Sequence, residues 1–228
     1  MDALNRIRDI IASSEDVIWG ISDIAYSDLS EKYSRAIIIA QKYSQFISNE
    51  GYDEERYHKL LVADRVIIND RINRLKELFD ELGICNYVPP LDQTDEISLV
   101  AQFLFKYAAV QAGLGWIGKS GVLVTKQFGP RIRLAAILIN HPLECGKPIK
   151  ESLCGDCHSC IDACPWGLIK GANWGISTCR EELLDYQSCN KKRSEYIDEN
   201  SRKHTCGYCI LACPWNSKDT AQKMRMKT

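Results

Sequence analysis

The sequence predicts an α+β chain in two parts, a mixed helix-and-strand domain over residues 1–142 and a cysteine-rich domain over residues 143–228. Two observations predict this division. Segments with helical and strand periodicity alternate as far as Ile139, and seven of the eleven cysteines fall into two short stretches beyond it. We expect the boundary between residues 140 and 148, where proline and glycine cluster.

The first domain begins with apolar residues at helical spacing over residues 3–12, followed by buried strands at 17–21 and 36–40. The short β-branched run of the second strand is typical of a sheet interior. The longest predicted helix covers residues 53–82, because one apolar stripe recurs through it and Gly83 offers a stop.

The rest of this domain contains a short strand, a helix and two further strands. Two prolines end the strand at residues 86–88. Residues 97–112 are mostly apolar and predict a helix. Strands are expected at 121–125 and 131–139, joined through Phe-Gly-Pro.

Gly113, Gly115 and Gly118 satisfy the pattern G-x-G-x-x-G literally. The dinucleotide-binding fingerprint needs a strand before these glycines and a helix after them, whereas here a helix precedes and a strand follows. We therefore expect the glycines to permit a tight corner or a close approach to a cofactor. Trp116 between them is either a core side chain or a flat wall for a planar ligand.

The first cysteine stretch has the spacing C-x2-C-x2-C-x3-C-P, and the second repeats its last three cysteines and its proline. This is the two-cluster pattern of bacterial ferredoxins, in which the last cysteine of a run binds the neighbouring 4Fe–4S cluster. Structural zinc is the alternative, but zinc does not require a displaced Cys-Pro twice. The cysteines are Cys154, Cys157, Cys160 and Cys164, then Cys206, Cys209 and Cys213.

Crossed ligation gives the first cluster the three leading cysteines together with Cys213. The second cluster then has three thiolates, those of Cys164, Cys206 and Cys209, and needs a fourth ligand. Spacing leaves Cys179 and Cys189 both open as the eighth ligand. Two further cysteines, Cys85 and Cys145, are unassigned, and we expect them to be buried and inert.

The charge is balanced, with 29 lysines and arginines against 30 carboxylates, so we expect no general nucleic-acid or membrane-surface binding. No apolar run is long enough to cross a membrane, and the N-terminus does not have the pattern of a signal peptide. Clustered thiols in such a chain indicate metal chemistry rather than disulfides. We expect a cytoplasmic protein.

Residues 113–119, Gly-Leu-Gly-Trp-Ile-Gly-Lys, combined with both cysteine motifs, resemble the epoxyqueuosine reductase family. These are cobalamin-dependent iron–sulfur enzymes of tRNA queuosine synthesis, distantly similar to reductive dehalogenases. The resemblance implies a cobalamin over a nitroreductase-like α/β core, with a ferredoxin-like domain delivering electrons to cobalt. The family also carries Leu-Asp-x3-Cys between its motifs, here Leu184 to Cys189, which makes Cys189 the eighth ligand and leaves Cys179 spare.

The resemblance also implies site residues in the first domain. The cofactor-binding candidates are Lys106, Gly113, Gly115, Trp116 and Gly118. The family's catalytic aspartate falls at Leu99, beside Ser98, and neither side chain can act as a general acid. The remaining catalytic candidates are Asp95, Glu96 and His58, for which a solvated loop or a surface position is the alternative. His158 lies in the cluster loop, where we expect it to shield or tune a cluster.

These observations predict an iron–sulfur oxidoreductase that passes electrons through two 4Fe–4S clusters to a cobalamin or substrate in the α/β cleft. The expected donor is of the ferredoxin or flavodoxin type, and the expected substrate a small molecule or modified nucleoside. The alternative is a dedicated electron-transfer or corrinoid-reducing protein, which the missing aspartate favours and the large α/β part opposes. A third alternative is a zinc-stabilised RNA-binding module. The sequence shows neither the basic face nor the aromatic platform that such a module needs.

Overall fold

The computed structural model describes residues 3–11, 14–91 and 98–217. They fall into two compact units. Unit 1 comprises Met1–Tyr43, Ala63–Leu114 and Ile132–Ile149. Unit 2 comprises Ser44–Val62, Gly115–Arg131 and Lys150–Thr228. Two segments ahead of residue 142 therefore pack with the cysteine-rich part, and the division at 142/143 into functional domains stays a prediction.

The helices and strands follow the predicted order with two differences, which concern α3 and β4. In chain order they are α1 (Ala3–Ile11), β1 (Val17–Asp23), β2 (Arg35–Lys42), α2 (Glu54–Glu81), β3 (Asn86–Tyr87), α3 (Phe105–Gln111), β4 (Gly115–Ile117), β5 (Leu123–Thr125) and β6 (Ile132–Ile139). Short helices follow: α4 (Ser159–Asp162), α5 (Arg180–Leu183), α6 (Tyr186–Ser194), α7 (Ile197–Asn200) and α8 (Tyr208–Leu211). Asp28–Glu31 and Pro214–Asn216 form 3₁₀ turns.

A four-stranded antiparallel sheet of order β1-β2-β6-β3 forms the centre of unit 1. β2 is a central strand, and Ile37, Ile38 and Ile39 on it are fully buried, as its β-branched composition predicts. One face of the sheet packs against α1 and the apolar stripe of α2. Burial of each such side chain stabilises the fold by about 1.5–3 kcal/mol.

The predicted helix over residues 97–112 is too long, since α3 begins only at Phe105. Leu99 has a positive φ of 53°, and a left-handed residue cannot continue a right-handed helix. The strand β4 was not predicted, because its three residues begin within the glycine motif and glycine is depleted in strands. The order of α3 followed by β4 confirms that the glycines do not form a strand-to-helix dinucleotide turn.

Unit 2 consists of short elements. β4 and β5 pair as a small antiparallel hairpin with Gly115 opposite Thr125, and α4 packs against α8. Trp116 and Trp215 meet edge to face, with ring centroids 4.8 Å apart, and both are buried. No helix in the described ranges has the length and apolarity that a membrane crossing requires.

Candidate functional site

Five cysteines of unit 2 line one cavity. Four of them are those that spacing assigned to the first cluster, Cys154, Cys157, Cys160 and Cys213, here called the first thiol set. The other lining residues are Gly118, Lys119, Ser120, Val124, Pro130, Cys209, Pro214 and Trp215. The structure therefore brings a cysteine from the end of the chain to three that lie more than 50 residues earlier.

Tight turns point the first three thiols into this cavity. The amide of Cys157 donates to the carbonyl of Cys154 (3.1 Å), and Gly155 between them has a φ of 51°, which glycine adopts without steric cost. α4 then starts after His158 and carries Cys160 on its first turn. Cys213 follows the C-cap of α8 and is the N-cap of the 3₁₀ turn that Pro214 begins.

The thiols of this set influence each other's ionisation. Burial raises the pKa of Cys160 to about 11, and the neighbouring Cys154 and Cys157 contribute. Burial likewise raises the pKa of Cys213 to about 12, with contributions from the other three thiols of the set. Four partly buried sulfur atoms around one cavity are the donor set that a 4Fe–4S cluster requires. All eleven cysteines are free of disulfides.

A second thiol set consists of Cys164, Cys189, Cys206 and Cys209. Burial raises the pKa of Cys206, and the thiols of Cys189 and Cys164 raise it further. Cys164 acts on Cys189 in the same way. The structure thus places Cys189, and not Cys179, with the three cysteines that lacked a fourth partner. Cys179 is exposed and precedes α5, where its amide donates to Glu182 (2.7 Å).

The Leu-Asp-x3-Cys segment has a local structural explanation. Asp185 is the N-cap of α6, and its carboxylate accepts from the amide of Ser188 (3.0 Å). Cys189 lies one turn further on, with its amide donating to the carbonyl of Asp185 (3.1 Å). Hydrogen bonds from Ser188 lower the pKa of Asp185. An acidic N-cap therefore fixes where α6 begins and where the thiol of Cys189 points.

Cys209 lies where the two thiol sets approach each other. Burial raises its pKa to about 12, and the thiols that contribute are Cys206, Cys160, Cys189 and Cys164. Cys160 belongs to the first set and the other three to the second. Because α4 carries Cys160 and α8 carries Cys209, the packing of these two helices brings the sets together.

Within the described ranges, no three histidine, cysteine or carboxylate side chains converge closely enough to bind one metal ion. A single zinc ion draws its ligands into a tight tetrahedron, whereas thiolates around a four-iron cluster stand further apart. The cavity and sulfur donors of the first thiol set, and the spacing of both cysteine motifs along the sequence, fit two 4Fe–4S clusters.

A clamp outside the cysteine motifs holds the loop that leads into Cys206. Arg202 makes two hydrogen bonds to the Glu54 carboxylate (2.6 and 2.7 Å), and the amide of Thr205 donates to the same group (2.6 Å). These contacts, Arg202 first, lower the pKa of Glu54 to about 2. The hydroxyl of Tyr52 donates to the carbonyl of Thr205 (2.5 Å). Sequence reasoning missed this clamp, because its members lie about 150 residues apart and no motif marks them.

Tyr57 and His58 belong to the same region of unit 2. His58 Nδ1 lies 3.0 Å from the hydroxyl of Thr205, so this catalytic candidate contacts the cluster loop. Tyr57 is fully buried and packs against Gly207, where an added Cβ would lie 2.6 Å from the ring carbon Cζ. The start of α2 thus supports the second thiol set.

The residues predicted to bind a cofactor are largely packed against protein. Lys106 is exposed and, with Gly113, falls in unit 1, whereas Gly115, Trp116 and Gly118 fall in unit 2. A Cβ at Gly115 would collide with the carbonyl of Val124 in the β4–β5 hairpin. Trp116 is 0% exposed, and its indole N–H has no hydrogen-bond partner among the described residues. The structure favours the core interpretation of Trp116.

Gly113 and Gly118 have different roles. Gly113 has a φ of 75° and a Cβ there would meet the carbonyl of Lys147 at 2.6 Å, which explains the glycine as a tight corner. A Cβ at Gly118 would lie 3.0 Å from Cγ2 of Val124, a tight contact, and 3.5 Å from the sulfur of Cys154, an ordinary contact distance. Gly118 therefore lies beside the first thiol set.

The remaining predicted residues are placed as follows. Leu99 is buried, and Asp95 and Glu96 lie outside the described residues. His158 is exposed. The expectation that both unassigned cysteines are buried is wrong for Cys85, which is exposed, whereas Cys145 is partly buried. Residue 85 follows the end of α2 just before β3, where the chain is at the surface.

Residues 153–216 match the model of the 4Fe-4S double cluster binding domain, which confirms the predicted double-cluster domain. The epoxyqueuosine reductase of Bacillus cereus is 31% identical over 153 residues, 66% of this chain and 38% of that protein. That of Escherichia coli is 28% identical over 163 residues, 70% and 39% of the two chains. The predicted resemblance is confirmed, and the match spans less than half the length of these relatives.

Solved structures share the fold. A crystal structure of epoxyqueuosine reductase with an epoxyqueuosine-modified tRNA-Tyr stem loop has a TM-score of 0.59 at 19% identity, over 94% of this chain and 64% of that one. A reductive dehalogenase structure, described as suggesting a mechanism for B12-dependent dehalogenation, has a TM-score of 0.65 at 15% identity, over 96% and 32%. At these identities the likeness concerns the fold alone.

Proposed function

We propose that this protein is an iron–sulfur oxidoreductase that conducts electrons from a cluster at the second thiol set to a cluster at the first. The observation that carries the proposal is that Cys209 of the second thiol set lines the cavity of the first, where α4 packs against α8. The clusters, when bound, supply one-electron transfer. A soluble donor of the ferredoxin or flavodoxin type fits this role.

The protein's own residues control the environment of each set. The buried Trp215 lines the cavity of the first set, with Trp116 packed edge to face against it. The clamp at Glu54 and Arg202 holds the loop of the second set. Exclusion of water strengthens every local electrostatic interaction. The two sets therefore differ in their surroundings, which favours different reduction potentials.

Lys119 is the side chain that we expect to set the direction of transfer. It is 4% exposed, lines the cavity of the first thiol set and acts electrostatically on Cys160. A buried ammonium stabilises negative charge nearby more strongly than a solvated one does. Added electron density at the first set is thus favoured, and electrons should collect there.

A cobalamin acceptor follows from the resemblance and from the B12-dependent dehalogenation named for one structural neighbour. The residues expected to bind it do not offer an open face, since Trp116 is enclosed and Gly115 abuts Val124. Trp116 and Gly115 are therefore not the face against which a corrin would pack, and no step of the proposed electron transfer depends on one. A nitroreductase-like core and a modified-nucleoside substrate are likewise proposals from the relatives.

A second candidate function is electron delivery to a partner without substrate chemistry. The residue that favours it is Leu99, which a count back from Gly113 places where the resembled family has its catalytic aspartate and which is only 8% exposed. A buried leucine can neither donate nor accept a proton. On this proposal the acceptor is a corrinoid or another protein.

Anaerobic reconstitution with iron and sulfide, followed by a reductive titration monitored by EPR, tests the main proposal. We expect two signals that appear at different potentials, with the first thiol set reduced first. Subsequent addition of cobalamin tests whether a corrinoid is the acceptor. Oxidation of the clusters with loss of the cob(III)alamin spectrum would establish a corrinoid acceptor. A reconstituted protein whose clusters cannot be reduced by any low-potential donor would refute electron conduction.

A further inference from the structure

Unit 1 contains two neighbouring arginines, neither of which forms an ion pair with a carboxylate in the described part of the chain. Arg65 lies on α2, and its Nη1 donates to the carbonyl of Leu134 (2.9 Å). That contact places its guanidinium beside Arg133, the preceding residue on β6. The Nε of Arg133 is buried and has no hydrogen-bond partner within the described part of the chain. Both side chains keep partial access to solvent.

Arg71, less than two turns further along α2, shows how this fold satisfies a buried guanidinium. It donates to the side-chain oxygen of Gln41 (3.2 Å), the carbonyl of Ile11 (2.9 Å) and the hydroxyl of Ser14 (3.2 Å). Buried polar groups are normally paired in this way, because an unpaired one costs free energy. The unpaired Nε of Arg133 departs from this rule.

The electrostatic surroundings of Arg65 reinforce the contrast. Burial, and then the like charge of Arg133, lower the pKa of Arg65 to about 10, with Tyr43 opposing them. No carboxylate of the described residues is among the groups that act on it. Two positive charges thus stand together in a partly desolvated position.

We propose that Arg65 and Arg133 form an anion site that binds a phosphate group. A planar guanidinium presents paired N–H donors that match phosphate oxygens, and two of them can hold one phosphate from two sides. The phosphate would offset the repulsion between the arginines and would fill the unpaired donor of Arg133. The proposal is independent of the iron–sulfur function, since it rests on unit 1 alone.

Isothermal titration calorimetry of the 228-residue chain with inorganic phosphate, and separately with a nucleoside 5′-monophosphate, tests the site. We expect Arg65→Gln and Arg133→Gln each to weaken binding at least about tenfold, the effect of removing one charged hydrogen-bonding group. Arg6→Gln is the matched control, because Arg6 is an arginine of the same unit that is paired with Glu81. Tighter binding of the nucleotide than of inorganic phosphate would identify a phosphate ester as the ligand. Equal affinity for the two would identify free phosphate as the ligand.

Thermal unfolding without added anion supplies a second measurement. If the pair is an unfilled anion site, Arg133→Gln removes a repulsion and should leave the melting temperature unchanged or raise it. A purely structural pair would instead lose stability on this change. The proposal is overturned if neither anion binds at millimolar concentration. It is also overturned if phosphate binds both glutamine variants as tightly as the wild-type chain.

Discussion

Replacement of Gly207 by alanine tests whether the start of α2 positions the second thiol set. The backbone of Gly207 has a φ of −131°, which alanine adopts without strain, so the effect of the substitution is steric. The new Cβ would contact the Tyr57 ring, 2.6 Å from Cζ and 2.9 Å from Oη. Carbon atoms pack best at about 3.5–4.0 Å, so the ring or the loop must move by about 1 Å.

The Tyr57 side chain has little room to move away from a new Cβ at residue 207. Its ring is fully buried and packs edge to face on Tyr52, with centroids 5.9 Å apart. Overpacking of this kind costs about 1–3 kcal/mol. Because residue 207 lies between Cys206 and Cys209, we expect the loop to move and the second cluster to be lost, while the first cluster remains.

Iron analysis and EPR after reconstitution measure this effect. The wild-type chain should hold about eight iron atoms and Gly207→Ala about four, since each cluster contains four. Gly175→Ala is the control, because the nearest atom to its new Cβ is Thr178 Oγ1 at 3.7 Å. Equal iron content and equal EPR signals in the two variants would refute the positioning role of Tyr57.

Three further predictions concern charge and stability. Lys119→Met should lower the reduction potential of the first cluster in an EPR-monitored titration, with the exposed Lys126→Met as control; an unchanged potential would exclude the proposed role. Glu54→Gln should lower the free energy of unfolding in urea by about 1.5–3 kcal/mol above pH 5. This difference should shrink as the pH falls from 4.5 through about 2, because the folded-state pKa of Glu54 is lowered to about 2. A pH-independent difference would contradict the ion pair. Removal of iron should expose residues 150–217 to protease before the sheet of unit 1, since cluster binding contributes to folding; equal resistance of the apo and loaded forms would argue against this.

Local patterns were sufficient to predict most of the sheet and the long helix. The β-branched run Ile37–Ile39 predicted a central strand, and the apolar stripe of α2 predicted its buried face, because both patterns report burial directly. The cysteine spacing likewise predicted the two thiol sets, since chemistry requires those ligands at that spacing. The Leu-Asp-x3-Cys segment predicted Cys189 as the eighth ligand, and the N-cap at Asp185 explains how this segment positions the Cys189 thiol.

Features that depend on tertiary contacts could not be predicted in this way. The clamp between Glu54 and Arg202 joins residues about 150 positions apart, and each is an ordinary surface charge by its local sequence. Trp116 was open to two interpretations, because burial against Trp215 is a property of the folded unit. The left-handed backbone at residue 99, which delays the start of α3, could not be predicted, because the residue there is leucine and not the glycine or asparagine typical of that conformation.

The central claim, that two crossed sets of four thiols hold two 4Fe–4S clusters, is tested most directly by one pair of variants. The test measures the iron content and EPR signals of reconstituted Cys189→Ser and Cys179→Ser. Cys189 lies with Cys164 and Cys206, whereas Cys179 is exposed. We predict that Cys189→Ser loses or alters one cluster and that Cys179→Ser retains both. Two intact clusters in Cys189→Ser, or the loss of one in Cys179→Ser, would contradict the account.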